Sequence, residues 1–319
     1  MPQIKDLGEK KLLEWIYQFC PSEIIGDDAA IIKLEQGQDL VITTDVLVDT
    51  VHFSEQTTTA FDVGWRAVAA NLSDLAAMGA SPLGITVGLS LPPELELEWL
   101  EGLYKGMSAC LSGTPIIGGD LTRSKVITIS ITAIGQVLPL RAIKRSNAQI
   151  GDKIVITGWH GLSRAGLFLL LNKYQIDPLT RNTLIEAHQR PRPRLDILET
   201  LWNIPGLERV AGMDSSDGLA DAIIGICNSS GVGAKIDSLV LAPQLKDWLT
   251  PEQALEWTLY GGEDFQLVLT LAEPFAQLLV SQLGYPTAII GQITLEKNIA
   301  LVQGHQSYPL TLSKGFQHY

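Results

Sequence analysis

The chain is poor in cysteine: Cys20, Cys110 and Cys227 are its only three among 319 residues, widely spaced and without a CxxC pair. That pattern supports neither a zinc site nor a disulfide framework. Three small hydrophobes buried in the reducing cytoplasm is the ordinary reading. Long apolar runs are also missing. The greasiest stretches, such as Leu167–Leu171, are far too short to span a bilayer. The segment Met1–Trp15 mixes Lys5, Asp6, Glu9, Lys10 and Lys11 with scattered apolar residues, so it contains no signal-peptide core. Basic residues are in deficit, with 23 Lys+Arg against 35 Asp+Glu and a net charge of −12. Such a balance argues against nucleic-acid binding by phosphate neutralisation. The familiar phosphate cradles are absent as well. No lysine is followed by Ser or Thr, so there is no GxxxxGK[ST] loop, and GxGxxG does not occur either.

What remains is ordinary globular material, 46% hydrophobic and 18% charged, long enough for roughly two domains. The first half alternates strand and helix signals. Strands are expected over Ala29–Leu34, Leu40–Val48, Leu83–Leu91, Pro115–Ile117 and Val126–Val137. Helices are expected over Phe61–Met78 and from about Glu94 to Leu111. This suits a sheet with helices on one face. Apolar periodicity lapses over Arg141–Gly151, which places a domain boundary there and divides the chain into 1–145 and 146–319. The second half opens with a strand at Lys153–Thr157. Helices near Leu162–Tyr174 and Arg194–Trp202 follow, then strands at Phe265–Leu271 and Thr287–Ile293. The fold class is therefore α+β, in two domains.

The chemistry concentrates in aspartates set beside glycines or strand ends. These are Gly26-Asp27-Asp28, Thr43-Thr44-Asp45 with Asp49 and His52 beyond it, and Asn71-Leu72-Ser73-Asp74 inside an Ala-rich helix. Gly118-Gly119-Asp120, Asp214-Ser215-Ser216-Asp217-Gly218 and Gly261-Gly262-Glu263-Asp264 complete the set. Each alone is compatible with a turn or a helix cap, Asp217 for example capping the helix that follows Gly218. Asp74 is harder to explain that way, because its neighbours at helical spacing are Ala70, Asn71, Ala77 and Met78. A carboxylate on so apolar a face requires a partner, and a metal ion serves as well as Arg66, two turns away. Oxygen ligands without Cys or paired His suit Mg²⁺, which completes its shell with water and substrate phosphates.

In this order and spacing the motifs resemble those of the thiamine-monophosphate kinases, within the aminoimidazole-ribonucleotide-synthetase-like superfamily. The match runs from Gly26-Asp27-Asp28-Ala29-Ala30 through Thr43-Thr44-Asp45, Val51-His52-Phe53 and Ala69–Ala80 to Gly118-Gly119-Asp120. It continues with Asp214–Gly218 and Gly261–Phe265 and ends at Gly315-Phe316-Gln317-His318-Tyr319. Departures are minor: Thr43 stands where Ser is common, Leu121 where Thr often follows Gly-Gly-Asp, and the chain ends His-Tyr rather than His-Phe.

The resemblance implies two α+β domains of that superfamily fold, with the first forming a barrel shared between two copies in a homodimer. It implies ATP-dependent conversion of thiamine monophosphate to thiamine diphosphate with several Mg²⁺ ions. By motif position it implies Asp28, Thr43, Thr44, Asp45, Asp74, Asp120, Asp214 and Asp217 as the Mg²⁺ shell. Tyr104, Gly119, Asp120, Arg145 and Ser216 are implied nucleotide contacts, and His52, Glu263 and Phe316 face the thiamine monophosphate. No dedicated general base is implied, and no nucleic acid or membrane partner. Relatives with other chemistry fit less well: Cys20 lacks the glycine-rich setting of a selenophosphate synthetase, and the chain does not end in the cysteine of the hydrogenase-maturation branch. A purely structural Ca²⁺ or Mg²⁺ module finds no support in EF-hand spacing.

Overall fold

The computed structural model describes residues 3–4, 9–21 and 32–314. Two compact units emerge: one takes the chain up to Leu75 together with Ala80–Val137, the other Ala76–Gly79 together with the chain from Leu138. Burial pushes the Cys110 and Cys227 thiols up to about 12, so both are inert core residues. No described helix is long and apolar enough to cross a membrane.

The first unit holds α1 (Glu9–Ile16), β1 (Asp39–Val48), α2 (Ala60–Ala77, the last two residues of which group with the second unit), β2 (Ser81–Leu91), α3 (Leu97–Leu111), β3 (Ile116–Arg123) and β4 (Thr128–Val137). Its four described strands form one sheet in the order β1-β4-β2-β3, antiparallel except for the β2/β3 pair that α3 connects. The period-2 pattern of β4 separates the two faces. Ile129, Ile131, Ala133 and Val137 are buried, whereas Thr128, Ser130, Thr132 and Ile134 between them are not. α2 lies on the buried face, close enough that a Cβ on Gly135 would come within 3.1 Å of the Leu75 side chain.

α2 and α3 cross with their backbones in contact. A Cβ on Gly64 would sit 2.0 Å from the Leu103 carbonyl oxygen, and one on Gly106 would sit 1.9 Å from that of Phe61. Only glycine fits at either place, and the rotation of α2 over the sheet is fixed by that crossing.

The second unit contains β5 (Lys153–Ile156), α4 (Leu162–Leu171), α5 (Pro178–Gln189), α6 (Leu198–Trp202), β6 (Ala211–Asp214), α7 (Leu219–Ser230) and β7 (Gly233–Ile236). It continues through α8 (Pro243–Lys246), α9 (Pro251–Tyr260), β8 (Leu267–Leu271), α10 (Glu273–Leu283), β9 (Ala288–Thr294), β10 (Ile299–Gln303) and β11 (Gln306–Pro309). The described strands form a sheet in the order β11-β10-β7-β9-β5-β8-β6. Both of its faces are covered, and alternation shows how. Ile154, Ile156 and Val268 pack with α7 residues Ile223 and Cys227, while Val155, Leu267, Leu269 and Leu271 pack with Leu201 and with Ala276 and Leu279 of α10.

Several expected boundaries shift for local reasons. Residues 29–31 of the expected first strand lie outside the described residues, and 32–34 have no regular structure. The helix expected from Glu94 begins at Leu97, after an extended Glu96. Gly118-Gly119-Asp120 is not a loop after a short strand; it is part of β3, paired with Thr86, Val87 and Gly88. The glycines read as a break, yet a Cβ at Gly119 would fall 2.1 Å from the Val87 carbonyl oxygen, so the parallel pairing itself demands glycine. The strand expected from Phe265 starts at Leu267 because Glu263 and Phe265 both adopt positive φ, 65° and 49°.

Candidate active site

In the first unit, two periodicities meet. Thr43 and Asp45 project from β1 toward α2, and Asn71 and Asp74 lie one turn apart on the helix above them. The Thr43 hydroxyl donates to Asp74 Oδ2 at 2.5 Å, and the Asp45 amide donates to Asn71 Oδ1 at 3.2 Å. Asn71 is fully buried and fixed by its own bond to the Ala67 carbonyl, 3.0 Å away. It serves the site by holding the strand, a role the motif Asn71-Leu72-Ser73-Asp74 did not disclose. Thr44 faces the other way, its hydroxyl 2.8 Å from that of Thr132. Register puts Asp120, exposed on β3, on Thr44's face of the sheet and not on that of Thr43. The expected ligands of this unit are thus divided between two faces.

His52 lies in the turn after β1, where its Nδ1 accepts the Val48 amide proton at 3.1 Å. In its neutral form the ring therefore carries its proton on Nε2. Tyr104 is buried, its ring stacked on Phe19 at 4.9 Å and edge-on to Trp15 at 6.5 Å. Burial, with Cys20 adding to it, holds its hydroxyl above the usual phenol range.

In the second unit two motifs 47 residues apart in sequence become one surface. The Glu263 amide donates to the Ser216 carbonyl at 2.7 Å, the Ser215 amide donates to Gln266 O at 2.9 Å, and Ser215 Oγ accepts the Gln266 amide at 3.1 Å. A Cβ at Gly262 would lie 2.7 Å from the Ser216 carbonyl oxygen, so the glycine lets the turns touch. Asp214, buried at the end of β6, accepts the Ser216 hydroxyl at 3.1 Å. Asp217 is exposed, and Asp221 follows one turn into α7. Burial and then the Asp217 charge raise Asp221 above the usual carboxylate range, while Arg145, exposed on a short 3₁₀ turn, opposes them. Asp221 was not singled out in the sequence; its i,i+4 spacing from Asp217 was the available signal.

Asp264 has a different task. Its carboxylate accepts the amides of Gly161 and Ser163 at 2.6 and 2.9 Å, capping α4. Burial nevertheless pushes it up to about 7, against those bonds and with Glu263 adding repulsion. The folded state therefore holds this proton up to about pH 7, whereas the unfolded chain releases it near 4. Stability from Asp264 is full below about pH 4 and is lost as pH rises to 7. His160, buried and lowered to about 4, acts oppositely, because the unfolded ring protonates near 6.5 as pH falls. The two slopes partly cancel, so the test is a difference. The melting temperature of Asp264→Asn minus that of the wild type should rise between pH 4.5 and 8; a pH-independent difference would refute the shift.

The residues expected to bind Mg²⁺ are oxygen donors throughout, and this donor chemistry fits a hard cation. Among the described residues no three His, Cys, Asp or Glu side chains converge as a metal site. Asp28 and Phe316 lie outside the described residues.

Models of the AIR synthase related protein match over both halves, the N-terminal domain at residues 26–137 and the C-terminal domain at 149–303. The chain is 48% identical to the thiamine-monophosphate kinase of Synechococcus elongatus, covering 99% of this chain and 98% of that one. The crystal structure of thiamine-monophosphate kinase from Stenotrophomonas maltophilia K279a is 34% identical with a TM-score of 0.77, over 86% of this chain and 89% of the other. The structure of AaThiL complexed with AMPPCP and TMP is 29% identical with a TM-score of 0.72, over 98% and 99%.

Proposed function

Because the chain belongs to the AIR synthase related family, among its thiamine-monophosphate kinases, we propose that it phosphorylates thiamine monophosphate with ATP, giving thiamine diphosphate. The observation that carries this reading is likeness over the full length to a kinase of that activity, with every site motif in order. The acceptor is a phosphate monoester with a second pKa of about 6, so its attacking oxygen is anionic at neutral pH and requires no base. The task left to the protein is to bring two polyanions together in line. Bound Mg²⁺ supplies the charge neutralisation that this needs.

The chain's own contribution is placement. Thr43 and Asp74, bonded to each other, and Asp45, held at its amide by Asn71, form one oxygen set in the first unit, with Asp120 and Thr44 on the opposite face of the sheet. Asp214 and Asp217 form another in the second, and Asp28 completes the proposed ligands. Arg145 is the proposed phosphate clamp, and Tyr104, Gly119, Asp120 and Ser216 are the other proposed nucleotide contacts. His52, its ring held at Nδ1 by the Val48 amide, orients substrate and does not abstract a proton. Glu263 faces the cationic thiazolium, and Phe316 the rings. By this assignment 1–145 carries Mg²⁺, nucleotide and the dimer contact, and 146–319 the remaining nucleotide contacts and the acceptor, in a cytoplasmic enzyme.

The dimer is supported by the outward face of the edge strand β1. Leu40, Ile42 and Val46 alternate along it, exposed by 48%, 59% and 45%. An apolar row on the strand that ends the sheet among the described residues is the kind of surface that a second copy covers. Sedimentation of a monomer at assay concentration would remove this part of the reading.

The deciding assay uses purified protein, ATP, Mg²⁺ and thiamine monophosphate. Thiamine diphosphate should form, thiamine itself should not be phosphorylated, and chelation of Mg²⁺ should abolish turnover. Phosphorylation of unphosphorylated thiamine, or a trapped aspartyl phosphate, would overturn direct transfer to a phosphate acceptor.

A further inference from the structure

α4 and α5 approach one another at Gly166. A Cβ there would lie 2.0 Å from the Leu184 carbonyl oxygen and 2.9 Å from His188 Cβ, so the glycine is what lets α5 come so close. The contact sets His188, at the end of α5, over the first turn of α4. Its Nδ1 is 3.0 Å from Ser163 Oγ, and both side chains are buried. The same turn of α4 is capped by Asp264, which fixes the neighbouring Glu263 with its carboxylate Oε2 3.7 Å from His188 Nδ1. Glu263 is a non-glycine residue at φ 65°, a conformation that costs energy and persists only when its surroundings impose it. One side of the Glu263 carboxylate therefore rests on a buried serine–histidine pair, while the side chain remains partly exposed at 35%.

We propose that Ser163 and His188 are positioning residues that hold the Glu263 carboxylate in the orientation that recognises the aromatic cation of the acceptor. The proposal rests on the reading of Glu263 as an acceptor-side residue. At 3.7 Å the histidine–glutamate contact is too long for a hydrogen bond. It aims the carboxylate without consuming its acceptor capacity. Ser163, bonded to the same ring nitrogen, fixes the imidazole plane. Neither residue touches the phosphates in this scheme, so their loss should be felt in acceptor binding alone.

The experiment measures KM for thiamine monophosphate, KM for ATP and kcat in the full-length enzyme. His188→Leu fills the ring's volume without a polar atom; His188→Asn restores a polar group near Nδ1; Ser163→Ala releases the ring; and Glu263→Gln tests the underlying reading. His188→Leu and Ser163→Ala should each raise KM for thiamine monophosphate, the former about tenfold, with KM for ATP and kcat within about twofold. His188→Asn should recover most of the loss. In the Glu263→Gln background His188→Leu should have no further effect. If Glu263→Gln leaves the acceptor KM unchanged, the reading of Glu263 fails and the proposal with it. If Glu263→Gln raises it but His188→Leu adds its full effect in that background, or alters ATP and acceptor alike, Glu263 stands and the positioning role is overturned. Should His188→Leu fail to fold, Ser163→Ala in the same two backgrounds decides the matter by the same criterion.

Discussion

Asp74→Asn should lower kcat/KM by on the order of 10²- to 10³-fold, the size of effect that removal of one electrostatic stabiliser produces. Its melting temperature should hold or rise. The substitution separates two roles. Asparagine retains an oxygen that can accept the Thr43 hydroxyl, so the bond at 2.5 Å between β1 and α2 survives. What disappears is the charge on a half-buried carboxylate. If Asp74 served only to tie helix to strand, activity would survive with the bond. If it neutralises a cation, activity is lost although the fold is intact. Because the bond that ties helix to strand is kept, stability should not fall. Thr43→Ser keeps the hydroxyl and should remain active; Thr43→Val, which cannot donate, should shift both activity and stability. Activity of Asp74→Asn within tenfold of the wild type would remove Asp74 from the metal set.

Gly106→Ala should destabilise the first unit by about 3 kcal/mol or more, the upper range of overpacking. For a unit of this size that corresponds to a fall of roughly 10 °C in melting temperature. Most core glycines can accept a methyl group if a side chain swings aside. Here the obstacle is the Phe61 carbonyl oxygen, 1.9 Å from the new carbon and part of the α2 backbone. The two helices must separate or slide, and α2 carries Asn71 and Asp74 over β1. Any residual folded enzyme should therefore also lose activity. Gly113→Ala is the comparison: a Cβ there meets nothing within 4 Å, although φ of 103° makes the backbone unfavourable. It should cost about 1–2 kcal/mol from backbone strain. Unaltered thermal and urea unfolding of Gly106→Ala would show that α2 and α3 are not locked at this crossing.

Much of the site was legible because its chemistry is written in residue type. Carboxylates and hydroxyls beside glycines, without Cys or paired His, point to a hard cation whatever the fold. The long helix over Asp74 and the strand through Thr43–Asp45 were equally readable, since an Ala-rich run and a β-branched run each have one favoured state. Errors arose where tertiary pairing overrode local propensity. Gly118 and Gly119 read as a loop but form β3, because parallel pairing with β2 leaves no room for a Cβ at Gly119. Phe265 has every preference for a strand, yet the turn that holds Glu263 forces it to positive φ.

By itself, then, the sequence determined the class of chemistry, the two-domain α+β organisation and the residues competent to act. Those properties follow from composition and local periodicity, which every stretch of chain carries with it. The tertiary structure alone decided which competent residues work together. Strand alternation sends Thr43 and Thr44 to opposite faces, a helix crossing at two glycines sets Asn71 and Asp74 over β1, and one backbone hydrogen bond joins Glu263 to Ser216. None of this is local: contact between residues 26 to 88 positions apart depends on how closely two backbones can approach, and no short window of sequence contains both.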